Sequence, residues 1–129
     1  MQLRKRILLN EKIEVFNKTG GFCHFCGQKL LLNAKRGDKE RWNVDHAVPL
    51  ERGGKDEISN FLPICRTCNR LRWNFPSEKI RELFRLGMIA YKETLKKSEV
   101  GKEISLIYKK QLEKNRQRRK GNLPDEYYN

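Results

Sequence analysis

The sequence predicts a small α+β protein stapled by a four-cysteine metal site. Three observations predict it. Two CxxC pairs, Cys23/Cys26 and Cys65/Cys68, stand at the ends of a long intervening stretch. Short apolar runs suited to strands lie within that stretch, and beyond Pro76 the apolar residues recur at helical spacing. At 129 residues, 37% hydrophobic and 35% charged, the chain suggests one domain, 1–129, with a modest core. Cores of that size commonly rely on a metal or a disulfide.

The elements follow in order. Residues 10 to 18 suit a short helix: Asn10 can cap it, Ile13 and Phe16 share a face, and Gly20-Gly21 stop it. FCHFCG is a tight turn. Leu30 to Leu32 and Trp42 to Val48, separated by a charged loop, read as the strands of a hairpin. ERGGKDEISN is a loop by its glycines and charges. FLPICRTCNRLRWN begins extended and turns helical from about Thr67. Pro76 ends that segment and Ser77 can cap the next. Ile80, Leu83, Phe84, Met88, Tyr91 and Leu95 then form one apolar stripe, expected to pack on the rest of the domain. Gly101 interrupts, and a shorter stripe runs from Ile104 to Leu112, a candidate homodimer surface. The zinc core is thus placed at about 20–75 and a helical extension at about 77–120.

Charge narrows the partners. The net charge of +13 should attract a polyanion, with nucleic acid ahead of anionic membrane. No segment reaches transmembrane length, and Ile7 to Leu9 is too short for a signal-peptide core. A cytoplasmic chain is expected, in which thiols bind metal more often than they pair.

Each CxxC turn presents two thiolates, and four soft ligands suit tetrahedral zinc. Gly27 follows the first pair and can take the backbone angles such a turn needs. With Cys23, Cys26, Cys65 and Cys68 filling the shell of a structural Zn²⁺, His24 is expected to be an exposed bystander.

Three polar features remain: Asp45-His46, Asn60, and Asn69 directly after Cys68. The sequence reads VDHAVPLERGG and then SNFLPICRTCNR, and Asn69 lies nine residues after Asn60. This pattern resembles the HNH nuclease family, over residues 20 to about 75. The resemblance implies a ββα-metal core, with the added N- and C-terminal helices outside it, and a metal-dependent DNA endonuclease whose products carry 5′-phosphate and 3′-hydroxyl ends. It implies His46 as general base, Asp45 and Asn69 as ligands of the catalytic metal, and Asn60 as the residue that ties the loop and orients His46. Restriction or phage-encoded enzymes are the expected setting.

The residue chemistry agrees with those roles. A carboxylate and an amide oxygen are hard ligands suited to Mg²⁺ or Mn²⁺. An imidazole titrates near neutral pH and can take a proton from water. Neighbours on an ideal strand point to opposite faces, so Asp45 and His46 need a local distortion to serve one site. Trp73 stands where some relatives place a metal-binding histidine, which leaves two protein ligands. Trp42 and Trp73 are expected to pack.

Double-stranded DNA is the expected partner. Arg72 stands where relatives often carry Lys and can hold the scissile phosphate, while Arg52 and Lys55 can reach neighbouring phosphates. Residues 109 to 120 hold seven basic residues and one acidic one. Lys109, Lys110, Arg116, Arg118, Arg119 and Lys120 are therefore expected on the backbone. The rival reading is a non-catalytic zinc-ribbon module that binds nucleic acid.

Overall fold

A computed structural model describes residues 6–73 and 78–119. Helix α1 (Leu9–Lys18) is followed by strand β1 (Trp42–His46), strand β2 (Phe61–Cys65), and helices α2 (Arg66–Trp73), α3 (Glu78–Lys96) and α4 (Glu99–Arg119). Single 3-10 turns, Leu50–Arg52 and Ile58–Asn60, shape the loop between the strands. Mixed helix with one small antiparallel sheet is the α+β class expected. Among the described residues no helix is long and apolar enough to cross a membrane.

The strand pairing corrects the expected hairpin. β1 pairs with β2, from Trp42 opposite Cys65 to His46 opposite Phe61, and not with Leu30–Leu32. Leu30 instead sits in the core with Cys23, Ile64 and Cys65, and Phe16 and Trp42 pack against it. The reason lies in the cysteine turns: Phe22 and Lys29 bridge across the first turn, and the Leu30 amide donates to Gly21. That pairing draws the chain under the sheet before it can run alongside it. All of β2 is buried. α1 covers it, and α2 packs on both strands. Pro63 is tolerated in β2 because a two-stranded sheet has only edge strands.

α1 forms where expected, but its details differ. Glu11 rather than Asn10 caps it, its carboxylate accepting the Leu8 amide at 3.1 Å. Its buried apolar residue is Val15, whereas Ile13 is exposed. At the other end, the Lys18 ammonium is half withdrawn from water and donates to the carbonyls of Ile58 and Phe61. Burial lowers the pKa of Lys18, against the pull of Glu14. The bond ties α1 to the start of β2.

α3 and α4 depart further from expectation. No residue of α3 is buried, and Phe84 is 69% exposed. The stripe was expected to pack inward. α3 instead meets mainly α4, so most of its apolar face stays open. Ile107, Tyr108 and Leu112 on α4 are exposed as well. Gly101 does not interrupt. It lies inside α4, and the break falls at Lys97 and Ser98, where the Ser98 hydroxyl accepts the Gly101 amide at 3.1 Å and caps the helix. Gly101 is needed for closeness: a Cβ there would lie 2.0 Å from the Glu93 carbonyl oxygen. Gly101→Ala would ordinarily favour a helix. Here it is expected to destabilise the corner by about 1–3 kcal/mol, as overpacking does, read as earlier melting of helical circular dichroism. Pro76, Ser77 and Lys120, with the side chains of Trp73 and Arg119, lie outside the described residues.

The basic run is helical up to Arg119. One face of it docks on the first cysteine turn: Asn115 and Gln111 both donate to the Phe25 carbonyl, at 2.9 and 3.2 Å. The Arg118 guanidinium lies 4.3 Å from the centre of the Phe22 ring. Lys109, Lys110 and Arg116 stay exposed.

Candidate metal centres and active site

The chain order Cys23–Cys26, β1, β2, Cys65–Cys68 folds the two cysteine pairs onto each other. Cys65 ends β2 and Cys68 lies in the first turn of α2. All four sulfurs lie within 4.8 Å of one another. Cys26 Sγ and Cys65 Sγ are 3.7 Å apart, while a tetrahedron with Zn–S bonds of about 2.3 Å has edges of about 3.8 Å. Gly27 takes the left-handed backbone, φ +80°, that closes the first turn.

The protonation of the cluster points the same way. The hydrogen bond from Cys68 holds the Cys23 thiol down at about 4, against burial. Burial pushes Cys26 up to about 11. The Cys68 thiol, bonded to Cys23 and buried, is also raised. One sulfur ionises and its neighbours then resist. Four thiolates in this space need a cation, and the four cysteines are positioned to bind zinc.

His24 is not the exposed bystander expected. It is 2% exposed. Its amide donates to the Pro63 carbonyl at 3.0 Å, and its ring Nε2 lies 2.9 Å from Asp45 Oδ2. A carboxylate only accepts, so the ring presents Nε2–H. With four cysteines to fill a zinc shell, the His24 ring turns to a buried partner, Asp45.

Asp45 is thereby held. Its side chain is 1% exposed, and Arg72 Nη1 donates to the same Oδ2. Arg72 Nη2 also reaches the His46 carbonyl at 3.5 Å. His46 turns to other partners. Its Nε2 lies 2.9 Å from Asp56 Oδ1, and its ring meets Phe61 edge-on at 5.1 Å. By the same donor logic His46 carries its proton on Nε2, which leaves Nδ1 as the acceptor of the neutral ring. Asp56 was read only as part of a charged loop. Nothing in ERGGKDEISN distinguishes its carboxylate from those of Glu51 and Glu57.

Although the two side chains take different partners, Asp45 and His46 line one cleft, of about 680 Å³. Asn69 of α2 lines it too, with Trp42, Lys12 and Arg41. Trp42 packs 5.7 Å from Phe16. Asn69 also borders a neighbouring cleft of about 440 Å³ formed with Arg36, Arg41, Arg66 and Arg70. Those four arginines were not singled out in the sequence. They are scattered between residues 36 and 70, and only the fold gathers them.

Asn60 is buried and spans the loop after β1. Its Oδ1 accepts the Val48 amide at 2.9 Å, and its Nδ2 donates to the carbonyls of Val48 and Lys55, at 2.9 and 2.8 Å. Its own carbonyl accepts the Ala47 amide, next to His46, at 2.8 Å. Asn60→Ala is expected to cost about 1–3 kcal/mol, because the backbone groups of Val48 and Lys55 lose their side-chain partner, and to appear as a lower urea midpoint. Arg52 and Lys55, at the loop surface, are exposed.

Residues 23–74 match the family model described as HNH endonuclease. No curated protein and no solved structure matches the chain.

Proposed function

We propose, from the match of residues 23–74 to the HNH endonuclease family model, that the protein is a metal-dependent DNA endonuclease built on a ββα-metal core. The observation that carries this reading is the shared cleft: Asp45, His46 and Asn69 line one opening, with the His46 ring held by Asp56. Asp45 and Asn69 offer the two hard oxygens suited to Mg²⁺ or Mn²⁺. A divalent ion held there would polarise the scissile phosphate and stabilise charge on the leaving oxygen.

The chain's own residues supply the rest. His46 takes a proton from water, and the water oxygen attacks phosphorus. The bond from phosphorus to the 3′ oxygen breaks, and that oxygen gains a proton, leaving 5′-phosphate and 3′-hydroxyl ends. Asp56 fixes the tautomer of His46. Asn60 braces the loop that carries both. Arg36, Arg41, Arg66 and Arg70 line the adjoining cleft and provide backbone phosphate contacts beside the reacting bond. Exposed Lys109, Lys110 and Arg116 on α4 add charge at longer range.

The test is plasmid cleavage by the zinc-loaded protein with Mg²⁺, with Mn²⁺ and with neither ion added. Nicked or linear DNA that needs the divalent ion supports the reading, and discrete fragments would make it a restriction-type enzyme. A second reading, a zinc-ribbon module that binds nucleic acid without cutting, is favoured by one observation: the Arg72 guanidinium already pairs with Asp45 Oδ2, and its positive charge competes with a cation for that carboxylate. DNA retarded on a gel yet uncut with either ion, on several substrates, would put that module first.

A further inference from the structure

We infer that His24 is a positioning residue: it holds the Asp45 carboxylate so that the carboxylate can bind the catalytic cation, and so links the zinc turn to the active centre. The inference rests on the nuclease reading and deepens it.

The chain places His24 with unusual constraint. It sits between two zinc-ligand positions, Cys23 and Cys26. Its backbone amide is bonded to Pro63 on β2, and its ring to Asp45 on β1. The residue therefore bridges the cysteine turn and both strands. Phe25 meets its ring edge-on at 6.5 Å between centres. With ring and carboxylate both almost wholly buried, the bond between them is shielded from water. His24 and Arg72 line a pocket distinct from the cleft that holds His46 and Asn69, and Asp45 lines that cleft. Asp45 thus stands between the two, gripped at Oδ2 from the zinc side.

A carboxylate that must bind a cation gains from a donor that fixes its plane. His24 offers such a donor: its Nε2 lies 2.9 Å from Asp45 Oδ2, on a residue set in the first cysteine turn. Arg72 reaches the same oxygen from α2, on a side chain that is partly exposed. Partners of this kind change metal affinity by about 10–100-fold when removed.

The test compares His24→Gln, whose amide keeps an N–H donor, with His24→Leu, which fills similar space without one. Zinc per chain is measured for both by elemental analysis. Mn²⁺ affinity is measured by titration calorimetry on the zinc-loaded protein, and plasmid nicking by Mn²⁺ dependence. His24→Leu should keep its zinc, bind Mn²⁺ about tenfold or more weakly, and recover nicking at high Mn²⁺. His24→Gln should stay within about threefold of the parent. Parental Mn²⁺ affinity in the Leu variant would overturn the inference, and so would equal loss in the Gln variant. Loss of zinc from the Leu variant would also overturn it, assigning His24 to the folding of the turn. Asp45→Ala separates the two levels of the argument. If Asp45→Ala also leaves Mn²⁺ affinity and nicking intact, the nuclease site itself is wrong. If only the His24 variants are silent, the nuclease reading stands without His24.

Discussion

Replacing His46 with Ala is expected to lower plasmid nicking by about 10²–10⁴-fold, the usual worth of a positioned base, with DNA affinity nearly unchanged. The reason is that the proposed reading gives the imidazole a chemical role and almost no binding role. Its Nε2 is committed to Asp56 and its ring to a perpendicular contact with Phe61. The arginines of the adjoining cleft are elsewhere: Arg36 and Arg41 precede β1, and Arg66 and Arg70 lie on α2. Loss of the ring leaves the arginines proposed to contact phosphate in place. Single-turnover nicking in Mg²⁺ reads the first quantity, and a gel shift of the zinc-loaded protein without added Mg²⁺ or Mn²⁺ reads the second. A variant that nicks at the parental rate would take the base away from His46. A parallel collapse of affinity would mean that His46 supports the fold and not the reaction.

What could be read from the sequence follows the range of the physics behind each element. The cysteine turns are local patterns, and all four sulfurs converge as expected. α1 and the strand-to-helix passage at Cys65 are also short-range, set by spacing and glycine stops, and they lie within a residue of expectation. The strand partner of Trp42–His46 was misread because pairing is a long-range choice. Leu30–Leu32 has strand composition, but the turn at Phe22–Lys29 draws Leu30 into the core before it can pair. The stripe on α3 shows the limit of periodicity: it reveals which residues share a face, not what that face meets. Gly101 was read as a stop because glycine breaks isolated helices, whereas here it admits the Glu93 carbonyl. The site divides in the same way. Asp45, His46, Asn60 and Asn69 stand out by the resemblance of their pattern to the HNH family. Their partners do not: His24 and Asp56 meet them across 21 and 10 residues of chain, and a sequence displays a polar residue without displaying what it touches.

Removing zinc is expected to unfold residues 20–75 rather than merely loosen them. Zinc ligands are unusually large contributors to this core: Cys23 and Cys65 form it with Leu30 and Ile64, and Cys68 packs against it. The sheet has two strands, which seldom hold together alone in water. Without a cation the cluster also works against itself, since burial pushes Cys26 up to about 11 and an ionised Cys23 adds to that. Structural zinc contributes about 10–16 kcal/mol in small zinc domains, against total stabilities of about 5–15 kcal/mol for ordinary domains. Metal removal should therefore cost more than the fold has to spare. One zinc per chain should be found in the purified protein. Stripping it with a strong chelator, or replacing Cys65 with Ser, should abolish the near-ultraviolet circular dichroism of Trp42 and its neighbours. The helical signal of α3 and α4 should fall less, because their mutual contact lies outside the cysteine frame. DNA cutting should vanish in step with the near-ultraviolet signal, since Asp45 is held from the zinc turn through His24. A stripped protein that melts at the same temperature as the zinc form would refute the structural role, and would leave the four cysteines needing another explanation.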